Sequence, residues 1–387
     1  MTTATPIIRS STGAEFLSMV PALAGYTATD SVLVIPFEGK RTIGRVMRLD
    51  LPGPRPREAH DALASLLLGN LSRLDRVDGL VLVVYAPGRF PNARAAHDRL
   101  RRTLERRLRE GGFRIVDSFL VADDGWASWQ EHRGPWSGHP LEQIETGEVK
   151  ERADAARGAL RPIRAQAELP RPEPELLGAL DEAALGLLEF EAEVDAFGRV
   201  VPAAPYERSG FTEQLLAQEH EALTLRQLAR LAVLAAVPRE RDETLLQIAF
   251  GVDAGRRAER SNDEIHEERE RTGESLDEIV VRWRAEGRHG DHGLDDMMLG
   301  ETRRRPDPDR IQRAIDALGR VAANAGAPLQ PGVRSMLGWL HWALGEGTAA
   351  GIHLDESLRI DPGHGMTRVL RALVGSGKVP EWAFVRD

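Results

Sequence analysis

The sequence predicts an α/β unit followed by an all-α unit. Apolar runs of strand length alternate with amphipathic segments up to about Val121. Two of those runs, Ser31–Phe37 and Leu80–Tyr85, are continuous and rich in β-branched residues, as strands covered on both faces are. From Glu175 onward the apolar residues recur at helical spacing instead. The length of 387 residues suits two domains.

Each element has its own signal. Phe16, Leu17, Val20 and Leu23 share one face of a helix over Gly13–Leu23. Ser31–Phe37 is the first strand, and Glu38-Gly39-Lys40-Arg41 turns the chain into a second over Thr42–Leu49. With Gly39-Lys40 as a two-residue loop, paired positions sum to 79. Ser31 then faces Arg48, and Thr29 faces Asp50. Three prolines, at 52, 54 and 56, end the hairpin. His60–Leu74 is an amphipathic helix, and Leu80–Tyr85 is a strand stopped by Pro87-Gly88. Asn92 reads as the cap of a helix to about Arg109, with Ala96, Leu100, Leu104 and Leu108 on one face. Gly111-Gly112 closes it, and Arg114–Val121 is the next strand. The order α-β-β-α-β-α-β implies a mixed sheet with a parallel portion.

The expected organisation is a mixed α/β domain over 1–160, a proline-rich linker over 161–174 and a helical domain over 175–387. The first domain includes an irregular Trp/Gly/Pro-rich extension over Asp123–Pro140. In the second, helices are expected over Glu175–Ala196, Thr212–Ala236, Glu243–Phe250, Asp309–Asn324, Val333–Leu344, Ala349–Ile360 and Met366–Val374. The charged run Arg256–Glu274 is a solvated helix or a mobile segment.

Composition narrows function by exclusion. With no cysteine, disulfides, thiolate metal sites and cysteine nucleophiles are ruled out. No apolar run is long enough to span a membrane and no secretory signal is visible, so a cytoplasmic location is expected. The net charge is −9, and it is uneven. Through Val121 there are 18 basic and 12 acidic residues; after it, 33 and 48. Three of the 51 basic residues are lysine (Lys40, Lys150 and Lys378), an arginine excess that GC-rich codon usage produces. An acidic chain lacks the basic footprint of a nucleic-acid binder.

Several residue sets are candidates for chemistry. Asp30, Ser31, Arg48 and Asp50 converge at the open end of the hairpin, as a site or as an ion pair fastening the loop. Arg89, Asp123, Asp124 and Trp126 lie at carboxyl ends of strands, where open α/β sheets bind ligands; Asp-Asp-Gly is equally turn chemistry. No histidine can be placed beside Ser31, so a serine-hydrolase reading has little support. His289, Asp291, His292, Asp295 and Asp296 offer metal-type ligands, but at a spacing that matches no metal motif. Seven arginines on Arg94–Arg109 form a solvated face or an anion-binding stripe. Leu337, Gly338, His341, Gly345, Ala350, Leu354, Ser357 and Pro362 have the spacing of one tetratricopeptide-like hairpin. Trp339, His341 and Trp342 are its candidate partner-binding residues.

Pro21–Tyr26 leading into Asp30–Val34, Arg48–Pro52, Asp124–Trp126 with Ser128-Trp129, Gln247–Gly251, Gly338–Gly345 and Ile360–Gly363 form a recognisable set. Together they resemble an actinobacterial family catalogued as domain of unknown function DUF4192. The resemblance spans nearly the whole chain and implies an intracellular protein. It carries over no activity and no catalytic residue. The resemblance implies cysteines after the Trp-rich segment in many relatives, and this chain has none there. The leading expectation is a non-catalytic binding or scaffold protein with no cofactor, whose helical domain holds a protein partner. The alternative is a hydrolase-like or small-molecule-modifying enzyme at the strand ends.

Overall fold

The computed structural model describes residues 9–42, 46–54, 57–131, 133–157, 160–194, 200–202, 208–286 and 292–385. The chain forms two compact units, one ending at Gln166 and the other running from Ala167 to Val385.

The first unit is built on a mixed sheet. Helix α1 (Gly13–Ala24) starts at Thr12, whose hydroxyl accepts from the Glu15 N–H in a capping box. Strands β1 (Ser31–Glu38), β2 (Arg41–Thr42) and β3 (Met47–Asp50) follow. Then come α2 (Arg57–Leu71), β4 (Gly79–Tyr85), α3 (Phe90–Glu110), β5 (Arg114–Ala122) and β6 (Gly125–Ser128). The sheet order is β2-β1-β4-β5-β6, with β3 also paired to β1. The β4–β5 pair is parallel and bridged by α3; the other pairs are antiparallel. Helices α4 (Glu142–Glu145) and α5 (Glu148–Arg157) complete the unit.

The hairpin register differs from the expected one. Near the turn Glu38 pairs Arg41 and Phe37 pairs Thr42, at the expected sum of 79. From Met47 to Asp50 the paired positions sum to 81, so Ser31 pairs Asp50 and Leu33 pairs Arg48. A shift of two keeps every side chain on its predicted face, because strand side chains alternate with period two. The helix of α3 begins at Phe90, ahead of Asn92, and Asn92 is not its cap. The Asp124 carboxylate caps it, accepting from the Phe90 N–H at 2.6 Å. Strand β6 lies in the stretch expected to be irregular.

The two sheet faces bury different partners. Val32, Val34, Leu80, Leu82 and Val84 pack under α2 and α3, against Leu67, Leu100 and Leu104. Leu33, Ile35, Val81, Val83, Phe119 and Val121 pack under α1, against Phe16, Leu17 and Val20. Strands covered on both faces explain the continuous apolar runs.

The second unit is helical: α6 (Ala179–Glu191), α7 (Arg208–Leu216), α8 (Leu225–Ala236), α9 (Pro238–Phe250), α10 (Val252–Thr272), α11 (Leu276–Ala285), α12 (His292–Met298), α13 (Pro308–Asn324), α14 (Gln330–Ala343), α15 (Gly347–Ile360) and α16 (Gly365–Gly375). A two-stranded ladder, β7 (Ala192–Val194) with β8 (Val200–Pro202), interrupts it. The single helix expected over Thr212–Ala236 is two, because Thr224 and Gln227 form a capping box that starts α8. The charged run is α10, the solvated helix of the two readings. Helices α14 and α15 form a hairpin. A Cβ on Gly338 would lie 2.6 Å from Leu354, so glycine permits the close approach.

Candidate functional site

The carboxyl ends of β4 and β5 open into a cleft of about 900 Å³. Parallel pairing puts Tyr85 beside Val121. Antiparallel pairing of β1 with β4 puts Ser31 beside Tyr85, so the start of β1 reaches the same edge. Side-chain alternation then places Ser31, Tyr85 and Val121 on the face that α1 covers. Leu17 and Pro21 of α1, Leu141, Ile144 and Leu160 supply apolar walls; Thr29, Asp30, Tyr85, Asp123, Glu145, Lys150 and Asp154 supply polar ones.

The two residue sets drawn from the sequence meet at this edge, but they divide by role. Asp30 and Asp123 line the cleft. Asp30 holds a positive φ of 45°, which Asp tolerates better than most residues, and its carbonyl accepts from the Leu51 N–H at 2.9 Å. Asp123 accepts from the Gly88 N–H at 2.7 Å through one carboxylate oxygen. Ser31, Arg48 and Asp50 form a linked set beside the cleft. Arg48 Nε donates to Ser31 Oγ at 2.8 Å, and its Nη2 lies 2.7 Å from Asp50 Oδ1. The Ser31 hydroxyl donates to the Thr29 carbonyl at 2.5 Å. That hydrogen is committed, so Ser31 is not presented to a general base.

Arg89 and Asp124 belong to the helix clasp. Asp124 takes the Phe90 N–H, and Arg89 Nε donates to it at 3.2 Å. The Phe90 N–H foremost, with Arg89, holds the Asp124 carboxyl below its ordinary range against the opposing effect of burial. Trp126, proposed as a ligand residue, is a core residue: it is 6% exposed, packs at a tilt against the Phe119 and His139 rings, and donates to the Pro140 carbonyl at 3.2 Å.

Tyr85 is a site residue that sequence reasoning missed. Its hydroxyl has no hydrogen-bond partner among the described residues. Burial foremost, with nearby Tyr26, pushes it well above the usual tyrosine range, so it stays protonated and can donate. Tyr26 is itself pushed up to about 12 by burial, against the pull of Arg48. The strand-end rule, applied to the last residue of Leu80–Tyr85, would have found Tyr85. Lys150 was also missed. It reaches Asp154 Oδ2 at 2.5 Å, one turn on along α5. A lysine in a chain where arginine dominates was the available signal.

The helical candidates stand differently. Trp339, His341 and Trp342 are at most 3% exposed. Trp339 donates to the Met298 carbonyl at 2.8 Å and Trp342 to the Lys378 carbonyl at 2.9 Å. His341 Nδ1 lies 2.7 Å from Glu346, and its ring stacks on His353 at 5.2 Å. These side chains fasten the interior and offer a partner no surface, which corrects the role expected of them. The arginine stripe of α3 is paired along its own helix: Arg101 and Arg102 with Asp98, Arg101 and Arg109 with Glu105, Arg106 with Glu110. Of the histidine-aspartate set, His289 and Asp291 lie outside the described residues. Among the described residues no three His, Asp or Glu side chains gather as a metal site, and no helix is long and apolar enough to cross a membrane.

A family described as "Domain of unknown function (DUF4192)" matches residues 14–261 and 256–381. No curated protein matches the chain significantly. No solved structure does either.

Proposed function

The chain belongs to the DUF4192 family, whose description assigns no activity, and from that premise we propose that it is a non-catalytic cytoplasmic binding protein whose α/β unit holds a small molecule in the strand-end cleft. The observation that carries this reading is the convergence of Asp30, Tyr85 and Asp123 on one apolar-walled cleft at the carboxyl edge of the sheet. Its volume is in the ordinary range for small-molecule sites, which are mostly apolar with a few placed polar groups. The commitment of the Ser31 hydroxyl to Thr29 favours binding over nucleophilic catalysis.

The test is a thermal-denaturation screen of chemically diverse small molecules against the natural chain and Thr29→Trp. Thr29 is exposed at the cleft wall, so an indole there fills the mouth without disturbing the core. Ligands that raise the Tm of the natural chain should leave Thr29→Trp unmoved. Equal shifts in both proteins would refute the cleft.

A second reading keeps the helical unit, with its tetratricopeptide-like hairpin, as a scaffold for a protein partner. The observation favouring it is the exposure of Leu177, Leu185 and Leu188 along and just before α6, at 55%, 59% and 36%. Loss of a co-purifying protein from a Leu185→Glu, Leu188→Glu chain would support it; retention would count against it.

A further inference from the structure

Resting on the cleft reading, we propose that the molecule held there is a small organic cation: an ammonium group on an apolar body, with the ammonium between Asp30 and Asp123 and the body against Leu17, Leu141, Ile144 and Leu160. The cleft has two unlike parts. Its walls from α1, α4 and the loop after α5 are aliphatic, and its strand edge is acidic. Among the described lining residues Lys150 is the one base, and Asp154 takes it at 2.5 Å. Asp30 and Glu145 have no side-chain partner among the described residues. Asp123 spends one oxygen on the Gly88 N–H and keeps the other. Among the described residues, Asp30, Asp123 and Glu145 therefore line the cleft with no lining base left to balance them.

Anionic ligands are disfavoured by that charge, and a purely apolar ligand leaves the Tyr85 hydroxyl without a partner in the cleft. An ammonium head answers the carboxylates, since charge-assisted hydrogen bonds to carboxylate are short and strong. The protonated Tyr85 hydroxyl supplies a donor for a second polar atom, such as an ether or hydroxyl oxygen on the same ligand. The backbone supports this assignment. Asp30 sits at positive φ directly before β1, and Gly88, which anchors Asp123, has φ 90°. Both carboxylates are thus presented from turns rather than from flexible helix surfaces. The same head group can come from a free metabolite or from a lysine or N-terminus of a peptide. The cleft volume of about 900 Å³ is that of a small-molecule site, which favours the free molecule.

The experiment compares three probes of one shape, 2-phenylethylamine, 2-phenylethanol and phenylacetate, by calorimetric titration of the full chain. The amine should bind at least tenfold more tightly than the alcohol, and phenylacetate more weakly than either. Asp30→Asn should bring the amine to the level of the alcohol and leave the alcohol unchanged. This variant keeps the shape and the positive φ, which asparagine tolerates, and the residue has no side-chain contact to lose. An alcohol or acid that binds as well as the amine overturns the cation assignment while the cleft stands. If none of the three binds, the cation assignment also fails. If Thr29→Trp binds all three as the natural chain does, the cleft reading fails with it. Tighter binding of the tripeptide Ala-Lys-Ala than of 2-phenylethylamine would overturn the free-molecule assignment.

Discussion

Arg48 shows how a single side chain links the hairpin to the cleft. It is almost fully covered, while its partner Asp50 is largely in solvent. Its guanidinium serves two oxygens at once, Ser31 Oγ through Nε and Asp50 through Nη2. Lysine has three donors on one nitrogen and lacks the rigid planar fork that reaches the two oxygens from separate nitrogens. Arg48→Lys should cost about 1 kcal/mol, read as a lower urea midpoint at unchanged slope. The sequence placed Ser31, Arg48 and Asp50 together even though the register was two positions off, because a shift of two preserves the face. What it could not show was the Asp124 clasp. A carboxylate that caps a helix 34 residues earlier leaves no local mark, whereas Asn92, a good cap by residue type, sits inside the first turn. Asp124→Ala should lower the Tm by several degrees and weaken ligand binding, since the clasped loop carries Pro87 into the cleft. An unchanged Tm would remove the clasp from the account.

Among the elements, the α14–α15 hairpin pairs two helices as the small-residue spacing expects and buries the tryptophans expected to meet a partner. The spacing of Gly338, Ala350 and Leu354 announced close helix packing, and the Gly338–Leu354 approach is just that. The tryptophans beside that spacing looked like a docking surface, because sequence shows residue type and not which side a neighbouring helix covers. Trp339 is fully buried, so Trp339→Ala should cost about 3–5 kcal/mol and destabilise the helical unit rather than release a partner. The same hairpin predicts a pH response. Burial foremost, with His341 and Arg334 adding, lowers the His353 pKa to about 3. The folded chain keeps His353 neutral, while the unfolded chain takes up a proton below about pH 6.5. Stability from this group is complete above about pH 6.5 and is lost as pH falls toward 3, at about 1.4 kcal/mol per pH unit. Carboxylates held low by arginine, such as Glu213 beside Arg310 and Glu173 beside Arg320, lose stability in the same direction at lower pH. Urea midpoints at pH 7.5 and 5 separate them. His353→Leu should reduce the dependence in that interval, leaving the part that His97 and His364, also lowered by burial, contribute, and a His353→Leu chain as pH-sensitive as the natural one would contradict the assignment.

Across the molecule, the division of labour follows from where polar groups are left unanswered. In the helical unit the candidate tryptophans are satisfied, with both N–H groups donating to carbonyls, and Glu213 and Glu173 each grip an arginine, while the buried His341 Nε2 has no hydrogen-bond partner among the described residues. At the strand edge of the α/β unit Asp30, Glu145 and Tyr85 line the cleft and have no side-chain hydrogen-bond partner among the described residues. The α-β-β-α-β-α-β order and the strand-end rule made the location of that edge legible. The walls from α4 and α5 were not, because those helices follow a Gly/Pro/Trp-rich stretch with no strong periodicity, and tertiary packing alone brings Leu141, Ile144 and Lys150 to the strand ends. The most direct measurement is a crystallographic fragment soak of the full chain with several hundred chemically diverse small molecules. The account predicts fragment density between the β4 and β5 ends, α1 and α5, in contact with Tyr85 and Asp30. Fragments bound reproducibly elsewhere, with the cleft empty throughout, would contradict it.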